Sequence, residues 1–173
     1  MNADLHEAHA LQHITNPEQR STPARTWADA RRAACLAQGQ SFVSEKVFSH
    51  PSKLVLMQEA RSAGFAVVLL VVCVNDPRRL LDRVAQHVAE GGHDVPSERI
   101  LARYPRTLQH LQGAIQLADL ALLYDTSGVG RNGSSGPKLV ARWRQSVWHW
   151  QLARPPAWAK KVQPLVTHKS IPV

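Results

Sequence analysis

The sequence predicts an α/β domain with a largely parallel sheet, and three observations lead to that prediction. Residues 66–74 are uniformly apolar and rich in β-branched types, a pattern typical of a strand that helices bury on both faces. Residues 120–124 form a second short apolar run, which ends at Asp125. Segments with helically spaced apolar residues alternate with these runs, and such alternation is typical of a parallel sheet covered by helices.

The first half of the chain gives local signals for each element. Thr26 can cap a helix that carries Trp27, Ala30 and Ala34 on one face. Ser41–Ser44 is a short strand candidate that leads into Glu45. A helix then opens at His50-Pro51 and is expected to end at Gly64, because glycine accepts the left-handed conformation that often ends a helix.

The second half follows the same pattern up to a different carboxyl-terminal part. Asn75-Asp76-Pro77 ends the first apolar strand and opens a helix that stops at Gly91-Gly92. Two helical pieces are expected around Tyr104-Pro105, before the strand at 120–124. After a Gly/Ser loop at 127–137, the pattern predicts a small hairpin and one short helix, at 138–142, 146–152 and 155–161. We expect residues 1–126 to form the main domain and residues 127–173 to pack on it.

The net charge of +8 is unevenly distributed along the 173 residues. Residues 1–125 hold 13 Lys/Arg and all 13 Asp/Glu, so their formal charges cancel, whereas residues 126–173 hold the other 8 basic residues and no acid. Four of the five tryptophans also lie in this basic segment. No signal peptide and no membrane-spanning run is found, and two cysteines make no disulfide framework, so we expect a cytoplasmic protein.

Polar residues follow the predicted strands, where ligands of open parallel sheets bind. They are Glu45, Asn75-Asp76 and Asp125-Thr126-Ser127. A carboxylate directly after a buried strand is a candidate site residue and is equally a common helix cap, so both interpretations of Asp76 stay open.

Two further patterns have simple structural interpretations. Residues 128–133 spell G-x-G-x-x-G, but no helix and no acidic residue follows, which favours a loop over a dinucleotide site. His6, His9 and His13 share one face of a helix if that segment is helical, yet no Cys or carboxylate stands at a convincing ligand spacing for zinc. We therefore expect no metal site.

A cluster of arginines surrounds Gly91-Gly92 and is more suggestive of function. It consists of Arg83, Arg99, Arg103 and Arg106, whose forked donors suit phosphoryl oxygens. On two helices joined by a glycine hinge, these residues would form a lid over phosphates. The alternative from charge spacing alone is a solvated basic face.

Several segments resemble the zeta toxin family of P-loop kinases. Phe42-Val-Ser-Glu45-Lys-Val-Phe-Ser-His50-Pro-Ser-Lys53 resembles the family's F-x-x-E-T-x-x-S segment, and Asn2-Ala3-Asp4 resembles the N-x-D that follows its second strand. Gly91-Gly-His-Asp-Val-Pro96, with the residues that follow it through Leu111, resembles the lid segment. Ala118-Asp119 and Tyr124-Asp125 match the next strand, so the similarity covers roughly residues 2–126.

The resemblance implies a P-loop-kinase-like three-layer sandwich and an ATP- and Mg²⁺-dependent phosphotransferase. The acceptor would be a hydroxyl of a small molecule such as a UDP-amino sugar. By position, Asp4 would be the general base, Glu45 would hold the acceptor and Asp125 would lie near the nucleotide end. Arg83, Arg103 and Arg106 would be lid contacts to ATP, and an antitoxin-like protein is an implied partner.

The sequence departs from the family in its phosphate loop. No Walker A sequence G-x-x-x-x-G-K-[ST] occurs among the 173 residues, so the cradle for the β- and γ-phosphates and the hydroxyl for Mg²⁺ have no counterpart. Lys46 stands where the family usually has Thr or Gly, and His87 where a lid arginine is common. We therefore expect an amino-terminally truncated, zeta-toxin-like domain with its first strand missing, impaired or inactive in ATP turnover.

Two other functions compete with this one. The basic carboxyl-terminal segment could bind nucleic acid or an acidic partner through residues such as Arg142 and Arg144. Against nucleic acid, Trp148 and Trp150 lie on one face of a predicted strand, as core residues do. The other alternative is a catalytically inactive pseudo-kinase that binds a partner protein.

Overall fold

The structure, a computed structural model, describes residues 1–89, 95–128 and 136–164. The chain divides into two compact units. Unit 1 comprises residues 1–47 and 62–65, and unit 2 comprises residues 48–61 together with those from 66 onward. The resemblance segment at 2–4 thus lies in unit 1, and the segment at 42–53 is divided, with residues 42–47 in unit 1 and residues 48–53 in unit 2. The proposed boundary between residues 126 and 127 stays a prediction.

Unit 1 is built on two helices, α1 (Ala3–Ala10) and α2 (Pro17–Ala37). The rings of His6 and Trp27 stack with centroids 3.8 Å apart and join them. The prediction that Thr26 caps a helix is wrong, because α2 begins at Pro17, where a missing N–H is harmless, and Thr26 lies inside it. Pro23 lies inside α2 as well.

The predicted strand at Ser41–Ser44 is also wrong. The described chain from Gln40 to Ser49 is neither helix nor strand. A strand needs a neighbouring backbone for its hydrogen-bond ladder, and here the amino terminus of Met1 supplies a single donor to the carbonyl oxygen of Val43. One such bond fixes the position of the segment without making a sheet.

Unit 2 is a mixed α/β structure. Its described elements are α3 (Ser52–Ser62, of which Ser62 clusters with unit 1), β1 (Val68–Cys73), α4 (Arg78–Ala89), α5 (Ser97–Leu117), β2 (Leu120–Asp125), β3 (Lys138–Arg144), β4 (Val147–Trp150) and α6 (Ala157–Val162). The sheet has the order β1-β2-β3-β4. The helices at α3, α4 and α6 and all four of these strands confirm the sequence-based assignments.

The largely parallel sheet was a wrong expectation. Only β1 and β2 pair in parallel, whereas β2 with β3 and β3 with β4 pair antiparallel. The reason is topological: α4 and α5 return the chain for the parallel pairing of β1 with β2, whereas the tight turn at Gln145-Ser146 reverses it between β3 and β4. Gln145 and Ser146 both have positive φ, as a two-residue hairpin turn of type I′ requires.

The core of unit 2 lies on one face of this sheet. Leu69 and Val71 of β1 and Ala121 and Leu123 of β2 point into it. Helices α3, α5 and α6 supply the opposing side chains, among them Met57, Leu108, Leu111, Ile115, Trp158 and Val162. Trp158 is 1% exposed, and Trp148 and Trp150 pack against the same core. This confirms the prediction that Trp148 and Trp150 are core residues.

The opposite face of β1 is exposed to solvent. Val68, Leu70 and Val72 are 60%, 62% and 63% exposed, so burial alternates along the strand. The prediction that helices cover both faces is therefore wrong for β1. The nine-residue apolar run defines a strand, but the number of layers that cover it depends on residues elsewhere in the chain.

Helix α5 runs unbroken through Pro105, where two helical pieces were expected. An internal proline costs a helix about 3 kcal/mol. Packing on both sides of it offsets that cost: the Tyr104 hydroxyl donates to the carbonyl oxygen of Val74 at 2.6 Å, and Leu108 is buried. None of the described helices is long and apolar enough to cross a membrane.

Candidate functional site

The carboxyl ends of the parallel strands β1 and β2 are joined by a polar network. The backbone N–H and the hydroxyl of Thr126 both donate to the carbonyl oxygen of Cys73, at 2.8 and 3.1 Å. Arg83 of α4 donates from Nη2 to the backbone oxygen and the hydroxyl oxygen of Thr126, at 3.0 and 3.1 Å. Since Thr126 is only 5% exposed, these bonds satisfy groups that water reaches poorly.

Asp125 is occupied by two internal donors. The indole Nε1 of Trp158 and the hydroxyl of Ser127 each donate to its Oδ1 at 2.8 Å. The Ser127 oxygen in turn accepts the backbone N–H of Asn75 at 2.7 Å, and the Asn75 side chain accepts the N–H of Ala157 at the start of α6. The network therefore ties the ends of β1 and β2 to α6.

Asp76 acts as a helix cap. Its Oδ1 accepts the backbone N–H of Arg78 at 3.0 Å, at the start of α4. Such a bond satisfies one of the unpaired N–H groups of a helix start. Of the two interpretations that the sequence left open for Asp76, site residue or helix cap, the structure shows the contact of a helix cap.

Two weakly acidic groups sit beside this network, Cys73 and Tyr104. Burial is the main cause that raises the pKa of the Cys73 thiol to about 11. Burial first, and then the neighbouring Cys73, also raise the pKa of the Tyr104 hydroxyl above its usual value. Both groups are neutral at pH 7, so neither is an activated nucleophile.

A row of cationic side chains runs along α5. Arg99, Arg103 and Arg106 are spaced by four and three residues, which places them on one face of the helix. Arg99 and Arg106 are exposed and Arg103 is half-buried. Among the described residues, none of the three forms an ion pair with a carboxylate; Arg106 donates from Nε to the oxygen of Ala102 in its own helix. We call these three residues the arginine row.

Unit 1 contains the residues that the resemblance assigns to the acceptor. Asn2 donates from Nδ2 to Oε2 of Glu45 at 2.6 Å, which joins the N-x-D segment to the F-x-x-E segment. Asp4 lies in α1, and its side chain is outside the described residues. Lys46 pairs with Asp29 at 3.9 Å, and the same carboxylate pairs with the buried Arg32.

Other sequence motifs lie outside the described residues. This applies to Gly91–Asp94 of the lid-like segment and to the G-x-G-x-x-G pattern after Gly128. In the ranges that the structure describes, no group of three or more His, Cys, Asp or Glu is placed to hold a metal ion. His6 and Trp27 stack instead, which occupies one of the three candidate histidines.

Sequence reasoning missed two participants in the network, Tyr104 and Trp158. Both place a polar group next to the strand ends while their rings lie partly or wholly in the core. The signal for these two hydrogen bonds in the sequence is weak. A Tyr hydroxyl or Trp N–H can reach a strand end only if packing places the ring beside it, and packing is not visible in the local sequence. Comparison with family models, with curated proteins and with solved structures finds no match.

Proposed function

We propose that this chain is a zeta-toxin-like phosphotransferase domain that binds nucleotide phosphates through the arginine row and does not turn over ATP. The observation that carries the proposal is the row itself. It comprises three guanidinium groups on one helix face, without a carboxylate partner in the part of the chain that the structure describes. The guanidinium fork suits phosphoryl oxygens, and without a carboxylate partner its donors stay available to a phosphate.

The surroundings of the row support a phosphate ligand. Helix α5 directly precedes β2 in the crossover that joins the two parallel strands, and ligands of such sheets bind beyond the carboxyl ends of the strands. Tyr104, between Arg103 and Arg106 in sequence, is fixed to the end of β1 through Val74. This contact anchors the helix that bears the row at the carboxyl edge.

We assign different roles to the individual arginines of the lid prediction. Arg103 and Arg106, with Arg99, are the phosphate ligands. Arg83 was expected beside them, but its Nη2 is engaged by Thr126. We therefore assign Arg83 to holding the strand end in place. The two free cysteines, Cys35 and Cys73, agree with a reducing cytoplasm as the place of action.

The acceptor side of the proposal rests on unit 1. Glu45 and Asn2 meet there, in the two segments that resemble the acceptor site of the family. By the resemblance, Glu45 would hold a hydroxyl compound such as a UDP-amino sugar, and Asp4 would be the general base in a member of the family that turns over ATP. The proposed likeness to a P-loop kinase fold is limited to the parallel pair of β1 and β2 and the helices on its core face, because the outer face of β1 is exposed.

Magnesium does not fit the residues described. The sequence has no Walker A Ser or Thr to coordinate it, and Oδ1 of Asp125 already accepts two hydrogen bonds. Without the loop that cradles the β- and γ-phosphates, transfer lacks the alignment on which it depends. Phosphate binding without turnover is the expected result.

Two assays on the purified chain test this function. In a thermal-shift assay, ATP should raise the melting temperature, and Arg103→Gln should abolish the rise while Arg154→Gln, at an exposed site outside the row, preserves it. A coupled ADP-release assay with ATP, Mg²⁺ and UDP-N-acetylglucosamine should show no turnover. Turnover that Asp4→Asn abolishes would contradict the inactive assignment, and an ATP shift equal in Arg103→Gln would contradict the binding site.

Nucleic-acid binding by the basic carboxyl-terminal segment has less support. Trp143 and Trp158 are 5% and 1% exposed, and Trp148 packs edge-to-face on Trp150 with centroids 5.1 Å apart. Rings that fill a core are not free to stack on bases. The basic side chains of this segment do meet solvent, among them Arg142 and Arg144 of β3.

A further inference from the structure

The outer face of the sheet in unit 2 exposes a row of large apolar side chains. Val68, Leu70 and Val72 of β1 are each at least 60% exposed. The strand register places them beside Leu120, Leu122 and Tyr124 of β2, which are half-buried. Contiguous apolar surface of this kind on a soluble domain marks an interaction site more often than chance exposure.

Basic side chains border this apolar row on its β3 side. Arg142 lies opposite Leu122 in the register, and Arg144 lies opposite Leu120. Both arginines are exposed, and His149 of β4 lies opposite Arg142 on the same face. Alternation along the four strands brings no Asp or Glu to this face. We call this surface, from Val68, Leu70 and Val72 across to Arg142 and Arg144, the open face.

We infer that the open face binds an acidic amphipathic helix of a partner protein. A helix is about 10 Å wide and neighbouring strands are about 4.8 Å apart, so one helix covers the apolar rows of β1 and β2. Its flank then lies over β3, where Glu or Asp side chains meet Arg142 and Arg144. The apolar rows supply the burial and the arginines select the partner and its orientation.

Charge separates this occupant from two others. A second copy of the chain would bring the same basic border and no carboxylate on its own open face, so its arginines would stay unpaired. A nucleic acid would pair with the arginines, but its phosphate backbone offers no apolar surface to Val68, Leu70 and Val72. Only a ligand that is both apolar and acidic matches both parts of the open face. This inference is independent of nucleotide binding by the arginine row.

The probe is a fluorescein-labelled synthetic peptide of about 18 residues, or about five helical turns. It carries Leu at positions i, i+3, i+4 and i+7 on one face and Glu beside them. One control peptide has the same composition in scrambled order. A second control peptide keeps the order but has Lys in place of Glu. Binding to the full chain is measured by fluorescence anisotropy at two salt concentrations. The acidic helix should bind at least about tenfold more tightly than either control, and added salt should weaken it.

Protein variants locate the site on the open face. Leu70→Ser and Val72→Ser are made separately, and Arg142→Glu is combined with Arg144→Glu. Each should weaken peptide binding by about tenfold or more. Val55→Ser, at a 47% exposed site on α3, and Arg154→Glu are matched controls that should change binding by less than about twofold. Circular dichroism confirms that each variant is folded.

Three results would overturn the inference. The first is equal binding of the scrambled and amphipathic peptides, or no binding of either. The second is a dimer in size-exclusion chromatography with light scattering that Leu70→Ser converts to monomer, which would assign the open face to a second copy. The third is a single-stranded oligonucleotide whose binding is lost in Arg142→Glu/Arg144→Glu but unchanged in Leu70→Ser and Val72→Ser.

Discussion

Two sets of polar residues in unit 2 differ in what their side chains contact. At the carboxyl ends of β1 and β2, Arg83 donates hydrogen bonds to Thr126, and Asp125 accepts one from Trp158. These side chains are therefore held by contacts within unit 2. On α5, the arginine row has no carboxylate partner among the described residues. Polar residues that the sequence assigns to one site can therefore differ in role, some holding the structure together and others being available to a ligand. The network should govern stability, and the row should govern phosphate affinity.

The largest expected effect is on the anchor of the network. Trp158→Ala should lower the free energy of unfolding by about 3–5 kcal/mol, because it leaves a cavity under the sheet and removes the donor to Asp125. Urea denaturation followed by circular dichroism measures this change. Trp27→Ala, at a 38% exposed site in unit 1, is the matched control and should lose much less. Equal losses would mean that the network does not hold unit 2 together.

A smaller loss of stability is expected at Arg83. Arg83→Ala removes two hydrogen bonds to Thr126, one of them to a buried backbone oxygen, and should lower the free energy of unfolding by about 1.5 kcal/mol. Arg79→Ala, one turn earlier on α4 and exposed, is the control in the same denaturation experiment. An unchanged urea midpoint in Arg83→Ala would mean that Arg83 does not stabilise the fold and that its guanidinium group is available to a ligand.

The network should also lose stability at alkaline pH. The folded state keeps Cys73 and Tyr104 protonated above the pH at which the unfolded chain releases these protons. The folded state then binds more protons than the unfolded state, so stability falls as the pH rises from about 9 towards 11. Urea midpoints measured across this range should decline less steeply in Cys73→Ala. If the urea midpoint of Cys73→Ala declined as steeply as that of the unmodified chain, burial of the Cys73 thiol would not be the cause of the loss of stability at alkaline pH.

The smallest effect on stability is expected in the arginine row. Replacing Arg99, Arg103 and Arg106 together by Gln should change the free energy of unfolding by less than about 0.5 kcal/mol, because these side chains support no described carboxylate. The same urea experiment measures it. A loss comparable to that of Arg83→Ala would place the row with the structural residues and end the contrast between the two sets.

Much of unit 2 could be predicted from its sequence because local signals define it. The apolar runs at β1 and β2, the cap at Asp76 and the paired prolines before α6 are signals within a few residues. Strand direction and the covering of β1 could not be predicted, because both depend on how distant elements pack. Unit 1 shows the same limit: residues 41–44 have strand-like composition but no neighbouring strand among the described residues.

The candidate site could be located from the sequence, but the roles of its residues could not. Polar residues after β1 and β2 do come together, as the bond between Asn75 and Ser127 shows. Whether Asp125 is free for a ligand depends on Trp158, which lies 33 residues further along the chain. A contact between residues so far apart produces no local sequence pattern. The sequence alone therefore does not tell whether a polar side chain at a strand end is bonded within the protein or available to a ligand.

The most direct test of the central claim is a titration of three proteins with a fluorescent ATP analogue. The unmodified chain, Arg83→Gln and the variant with Gln at all three positions of the arginine row are compared at a temperature where each is folded. We expect Arg83→Gln to bind within about threefold of the unmodified chain, and the row variant to bind at least about tenfold more weakly. Full affinity in the row variant, or loss of affinity confined to Arg83→Gln, would contradict the division between a structural network and a phosphate-binding row.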